Sequence, residues 1–199
     1  MSVSLEQWKK MLDVTADLLL DHADELSKID AVIGDGDHGI TITKIANLMK
    51  EKAAADYENS AKLFDDLGWD AVNVQGGSAG PLFGTFLSGL QNAAEDASAA
   101  EALECGLKEL QTISNAKVGD KTMMDALIPA VEAMKAADND KAAFEAAEKA
   151  AKEGAEKTSE YVAKFGRAKN YGERSIGVKD AGACSMALIF EGFNKAYNS

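Results

Sequence analysis

Apolar residues recur at a helical period along almost the whole chain, which leaves little sequence from which to build a sheet. Leu5, Trp8, Met11, Leu12, Thr15, Leu19 and His22 share one face, and Ser4 and Gln7 ahead of them form a capping-box pattern. Further helical patterns run over roughly 40–54, 60–74, 81–95, 99–114, 121–137, 139–164 and 182–197. Leu103, Leu107, Leu110 and Ile113 make one clear apolar face, and Met186, Phe190, Phe193 and Tyr197 another. Only Val32, Ile33 and a few residues near Val74 have strand character, in runs too short for a sheet. Trp8 and Trp69 read as core. The spacing therefore predicts an all-α fold: eight antiparallel helices with short connections, arranged as an up-and-down bundle or closed helical barrel. Pro81 suits the first turn of its helix, whereas Pro129 falls inside a pattern and is expected to kink it. No repeat or linker divides residues 1–199, so the chain reads as a single domain long enough for a sizeable core.

Charge narrows the ligands. A formal net charge of -12 argues against nonspecific affinity for nucleic acid or an anionic membrane. An anionic ligand then needs a local device such as a metal, helix N-termini or a few placed arginines. Cys105 and Cys184 are too few and too far apart for a disulfide framework or a zinc site. The N-terminal residues show no basic region followed by an apolar run, and no segment approaches the roughly 18 apolar residues of a membrane span. A cytoplasmic protein is the expectation.

The loops carry the chemistry. Between Asp30 and Gly39 lie three carboxylates, Asp30, Asp35 and Asp37, and three glycines. Neighbouring carboxylates raise one another's pKa unless something neutralises them, and Mg²⁺ takes carboxylate and phosphate oxygens together. Glycines admit positive φ and let the three side chains turn toward one point. The stretch reads as a metal loop, although an ordinary solvated turn has a similar composition. An EF-hand does not fit: counting from Asp35, the twelfth position is Ala46, where a bidentate Glu is required. The ligand set looks incomplete without outside oxygens such as nucleotide phosphates.

A second loop, Gln75 to Pro81, is rich in glycine and opens a helix, where unpaired amides and the helix dipole favour phosphate. Ser78 adds a hydroxyl. A P-loop would need glycines where Asn115 and Asp120 stand, and the dinucleotide fingerprint lacks its preceding strand. Any nucleotide site is thus a nonstandard helical one. In an antiparallel array, loops 30–40, 76–81, 115–122 and 165–182 are separated by even numbers of helices, so all four can line one rim. There Asp30, Asp35 and Asp37 would hold Mg²⁺, Ser78 and nearby amides the phosphates, and Arg167 would meet developing charge as the catalytic cation. Blander roles stand beside these: His38 solvated in its turn, His22 at the core edge, Asp120 and Lys121 paired with neighbours, Met123 and Met124 packing in the core, Glu173 and Arg174 paired.

Gly-Asp-Gly-Asp-His-Gly, Gly-Gly-Ser-Ala-Gly-Pro-Leu-Phe-Gly-Thr, Gly-Asp-Lys-Thr-Met and Gly-Glu-Arg-Ser-Ile-Gly occur in this order, and across essentially the whole chain the sequence resembles the nucleotide-binding subunit of bacterial dihydroxyacetone kinase. Related domains form the C-terminal half of fused ATP-dependent dihydroxyacetone kinases and part of some fatty-acid kinases. The resemblance implies a barrel of eight antiparallel helices with ADP at one end and two Mg²⁺ ions held by Asp30, Asp35 and Asp37. It places His38, Gly39, Ile40, Thr41, Ser78, Ala79, Met123, Arg167, Asp180, Ala181 and Gly182 around the nucleotide. It further implies that ADP and ATP serve as a bound coenzyme. A phosphocarrier subunit of the phosphotransferase system, fed from phosphoenolpyruvate, rephosphorylates the ADP, and the γ-phosphoryl passes to dihydroxyacetone on a separate substrate-binding subunit. A general base is then expected on that partner, and room is left for a homodimer. Two alternatives remain: an ATP-exchanging kinase module for another acceptor, as in the fatty-acid kinases, or a nucleotide-dependent regulator.

Overall fold

The computed structural model describes residues 2–199. Nine α-helices follow in order among the described residues: α1 (Leu5–Asp21), α2 (Ala23–Ile33), α3 (His38–Ala54), α4 (Ser60–Val72), α5 (Ala79–Gly89), α6 (Ala99–Ile113), α7 (Met124–Lys135), α8 (Asp140–Lys157) and α9 (Ala181–Tyr197). Short 3₁₀ turns occupy Leu90–Asn92, Thr158–Glu160 and Ala168–Ser175. The described residues contain no strand, only an isolated bridge between Ser2 and Ser98.

Eight of the helices close a ring. In sequence α1 packs on α3, α3 on α4, α4 on α5, and so on to α8 on α9, and α9 returns to α1. This is the up-and-down barrel that the helical period and short connections predict. The ninth helix, α2, lies against α3 and α9 and carries Asp30 on its last turn. The sequence reading gave these residues to a loop and the edge of a strand. No capping side chain marks the start of α2, since His22 makes no side-chain cap bond, and the glycines after it blur its end. Val32 and Ile33 are thus helical, not extended.

Local signals elsewhere do set the ends. Ser4 and Gln7 exchange reciprocal capping bonds at α1, Ser98 and Glu101 do so at α6, and Asn59, Asn139 and Asp180 cap α4, α8 and α9. The pattern read as 139–164 stops at Lys157, where a 3₁₀ turn takes over. Pro129 sits inside α7 and offers no N–H to the Asp125 carbonyl one turn back. Gly154 of α8 backs onto that carbonyl, and a Cβ there would come within 2.0 Å of it.

The barrel interior is one continuous apolar cluster contributed by every α-helix. Trp8 is buried in it edge-on to Phe64 and Phe193, with ring centroids 5.1 and 6.0 Å away. Trp69 departs from the expectation of a core residue. It lies on the outer face of α4 with 70% of its surface exposed, because that helix turns Leu63, Phe64 and Leu67 inward instead. No helix among the described residues is long and apolar enough to cross a membrane.

Candidate functional site

Alternate connections of an antiparallel ring meet at one end, and here the four glycine-punctuated loops do so around a cleft of about 190 Å³. Its wall includes Asp30, Asp35 and Asp37 from the α2–α3 corner, Gly77 and Ser78 ahead of α5, Lys121 to Met123 ahead of α7, and Phe165 to Ala168 with Lys179 to Gly182 ahead of α9. The N-termini of α3, α5 and α9 therefore border one space, with the partial positive charge of their unpaired amides. Neither Asp37 nor Ser78, the residues preceding α3 and α5, uses its side chain as a cap, so these groups stay available.

The acidic corner is tightly built. Oxygens of Asp30, Asp35 and Asp37 lie within 4.8 Å of one another. Gly36, at φ 76°, donates its N–H to Asp30 Oδ2 at 2.9 Å and so folds the loop back over α2. Gly39 lets α3 approach α2, because a Cβ there would stand 1.9 Å from the Ala23 carbonyl. Burial pushes the Asp37 carboxyl up, and the charges of Asp35 and Asp30 push it further, while Arg167 opposes them. Arg167 forms an ion pair with Asp35. Three hard oxygen donors that repel one another and share one point suit a divalent cation such as Mg²⁺.

The remaining residues singled out in the sequence divide. Ala79, Met123, Asp180, Ala181 and Gly182 line the cleft beside Ser78 and Arg167. His38 also reaches it but is not solvated: it is buried, with Nε2 2.7 Å from Ser185 Oγ, and burial lowers its pKa to about 4. The imidazole is therefore neutral near pH 7 and ties the start of α3 to α9. Gly39, Ile40 and Thr41 are not part of the wall. Ile40 points outward with 59% exposure, and Thr41 is buried with its hydroxyl donating to the Asp37 carbonyl at 3.3 Å.

Asp180 caps α9 through Oδ2, which accepts from the Ala183 amide at 2.7 Å. Burial pushes its carboxyl up to about 7 despite that bond. Sequence reasoning passed over Leu82, Phe83 and Phe165, which with Ile33, read there as strand-like, give the cleft an apolar side, and Lys179, which adds a cation beside Lys121, expected only to pair with a neighbour. Phe165 abuts a glycine-rich loop and could have been noticed; Leu82 and Phe83 look like any helical apolar pair. Asp120 does pair with a neighbour, Lys164, at 2.6 Å, while Arg174 lies over the Tyr171 ring, 5.5 Å from its centroid.

Fold and cleft define a closed helical barrel whose rim combines a cation-ready acidic corner with anion-ready helix starts. The chain belongs to the DAK2 domain family, whose model matches residues 32–195. Among curated relatives it is 35% identical to the ADP-binding subunit DhaL of PEP-dependent dihydroxyacetone kinase 1 from Listeria innocua, over 83% of each chain. It is 34% identical to D-erythrulose kinase from Mycolicibacterium smegmatis over 90% of its own length, but spans only 33% of that kinase. Among solved structures it superposes on the dihydroxyacetone kinase of C. freundii in complex with AMP-PNP and Mg²⁺, with TM-score 0.79 and 28% identity. That match covers 98% of this chain and 34% of the other.

Proposed function

We propose that this chain is the nucleotide-holding phosphotransferase subunit of a ketose kinase, keeping ADP and ATP with Mg²⁺ in the rim cleft as a coenzyme. One observation carries the reading: three convergent carboxylates share a cleft with three helix N-termini, in a chain similar to ADP-binding subunits over most of its length. Asp30, Asp35 and Asp37 would hold two cations. Mg²⁺, when bound, supplies the charge neutralisation that lets carboxylate and phosphate oxygens approach one another.

The protein's own groups account for the rest. Ser78 and the first amides of α5 donate to phosphate oxygens, and the first amides of α9 close the opposite side. Ile33, Leu82, Phe83, Met123 and Phe165 provide an apolar surface for the base. Arg167, already at the rim, turns its guanidinium toward the transferring phosphoryl. Phosphoryl transfer demands positioning and charge stabilisation more than a protein nucleophile, so the site needs none. A phosphocarrier partner, charged ultimately from phosphoenolpyruvate, restores ATP in place, and the γ-phosphoryl goes to dihydroxyacetone on a substrate-binding partner. A cytoplasmic setting suits that supply.

Protein purified in Mg²⁺ without added nucleotide is expected to carry stoichiometric ADP by mass spectrometry. Nucleotide-free protein that also fails to bind Mg²⁺·ADP in a titration sinks the reading. Similarity to erythrulose kinases favours a second reading, an ATP-exchanging module acting on a related ketose. Turnover with free ATP in a reconstituted system, without a phosphocarrier, would support that version over the coenzyme one.

A further inference from the structure

Two costs coincide at Lys121. Among the described residues it is the sole non-glycine at positive φ, 61°, a conformation that crowds any Cβ. Its side chain is also buried, leaving the residue 1% exposed, in surroundings that penalise an ammonium. Glycine would relieve both, so a lysine held there points to a task.

The surrounding bonds say what the task is. Asp125 accepts from the amides of Gly119 and Thr122, at 2.6 and 2.7 Å, and so closes the loop that puts Lys121 in the left-handed region. From there Nζ reaches past the start of α7 and donates to two carbonyls, Thr158 at the end of α8 (2.5 Å) and Val178 on the approach to α9. Thr158 Oγ1 in turn accepts from the Asp180 amide at 2.8 Å. One ammonium thus joins three loops that are distant in sequence. The carboxylates of Asp125 and Asp180 favour its charged form.

We infer that Lys121 is a positioning residue of the nucleotide site, fixing the Val178–Gly182 segment so that Asp180, Ala181 and Gly182 stay in the cleft wall. This rests on the nucleotide reading above. The ammonium acts through the backbone of that segment and needs no contact with the ligand.

Two variants separate this role from simple support of the fold. Lys121→Gly suits the positive φ and removes the side chain; Lys121→Met keeps its length and deletes the donors. In both, Mg²⁺·ADP affinity by calorimetry is expected to fall at least tenfold, while Mn²⁺ affinity without nucleotide stays within twofold. Amide exchange should quicken over 158–163 and 176–183 alone. Thr158→Val leaves the lysine in place, removes the acceptor for the Asp180 amide, and is expected to weaken nucleotide at least threefold even if the lysine variants do not fold. Variants that bind Mg²⁺·ADP within twofold of the parent, or exchange that quickens throughout the barrel, would overturn the inference. A parent protein that does not bind Mg²⁺·ADP overturns the nucleotide reading itself, so the two failures are distinct.

Discussion

Arg167 is ion-paired with Asp35 at the mouth of the cleft, so a guanidinium neutralises the carboxylate that the sequence assigns to a metal. The same arginine favours the charged form of Asp37. Arg167 and a divalent cation bound as proposed would therefore compete for one acidic corner. Arg167→Gln is expected to tighten Mn²⁺ binding to nucleotide-free protein about three- to tenfold, the scale of a partly exposed ion pair. It should weaken Mg²⁺·ADP if, as proposed, Arg167 is the cation that meets the phosphates. Metal affinity that is unchanged or lower in calorimetry would show that the pair does not compete with the ion.

Repulsion within the corner makes a second, opposite-signed expectation. Carboxylates this close cost about 1 kcal/mol per like-charge contact even at high dielectric. Asp37→Asn removes one charge, so in chelator the variant should melt a few degrees above the parent. In Mg²⁺ and ADP the order should reverse, because ligand stabilisation depends on the affinity that is lost. A variant that melts below the parent in chelator would mean the three side chains do not repel as placed.

Much of this site is legible in the sequence because the groups that build it are also the groups that break helices. Gly34, Gly36, Gly76, Gly77 and Gly119 mark the loops, and the alternation of an antiparallel ring brings those loops together with no further information. What escapes is whatever depends on distant packing. Lys121 looks like one more charged residue at a helix start until the carbonyls of Thr158 and Val178 arrive from elsewhere in the chain. His38 sits in a polar, glycine-rich stretch of the sequence, yet Ser185 and α9 bury it. Trp69 has the composition of a core residue but the wrong helical phase.

Stability against pH should show two opposing contributions. His38 has a folded pKa of about 4, below the 6.5 of the free group, so the unfolded chain binds its proton first. Its contribution is present above about 6.5 and is lost as pH falls toward 4. Asp180 is the reverse: its pKa is raised from 3.8 to about 7, so the native state holds the proton more tightly. Its contribution is present below about 4 and is lost as pH rises through 7. Each spans a few kcal/mol at most, and over pH 4 to 6.5 they offset one another. In urea titrations with chelator, parent minus His38→Gln should rise with pH across 4 to 6.5 and then level. Parent minus Asp180→Asn should fall between 4 and 7. Difference curves that are flat would mean these groups titrate as they do in the unfolded chain.

The distance between α2 and α3 sets the spacing of Asp30 and Asp37, and Gly39 sets that distance. A Cβ at position 39 would meet the Ala23 carbonyl at 1.9 Å and Ser27 Oγ at 2.5 Å, and the former is backbone that cannot rotate away. Gly39→Ala must therefore wedge the two helices apart. Overpacking of this kind costs about 1–3 kcal/mol, which should appear as a lower urea midpoint. Asp30 rides on α2 and Asp37 precedes α3, so the wedge also spreads their oxygens, which now lie within 4.8 Å of one another. Mn²⁺ affinity is expected to fall at least tenfold in the folded variant. Gly119→Ala serves as the control: φ there is 92°, but no atom lies within 4 Å of the added Cβ, so strain is introduced without moving α2. It should destabilise the protein and leave Mn²⁺ affinity unchanged. If both substitutions weaken the metal equally, the spacing of α2 and α3 is not what tunes the corner.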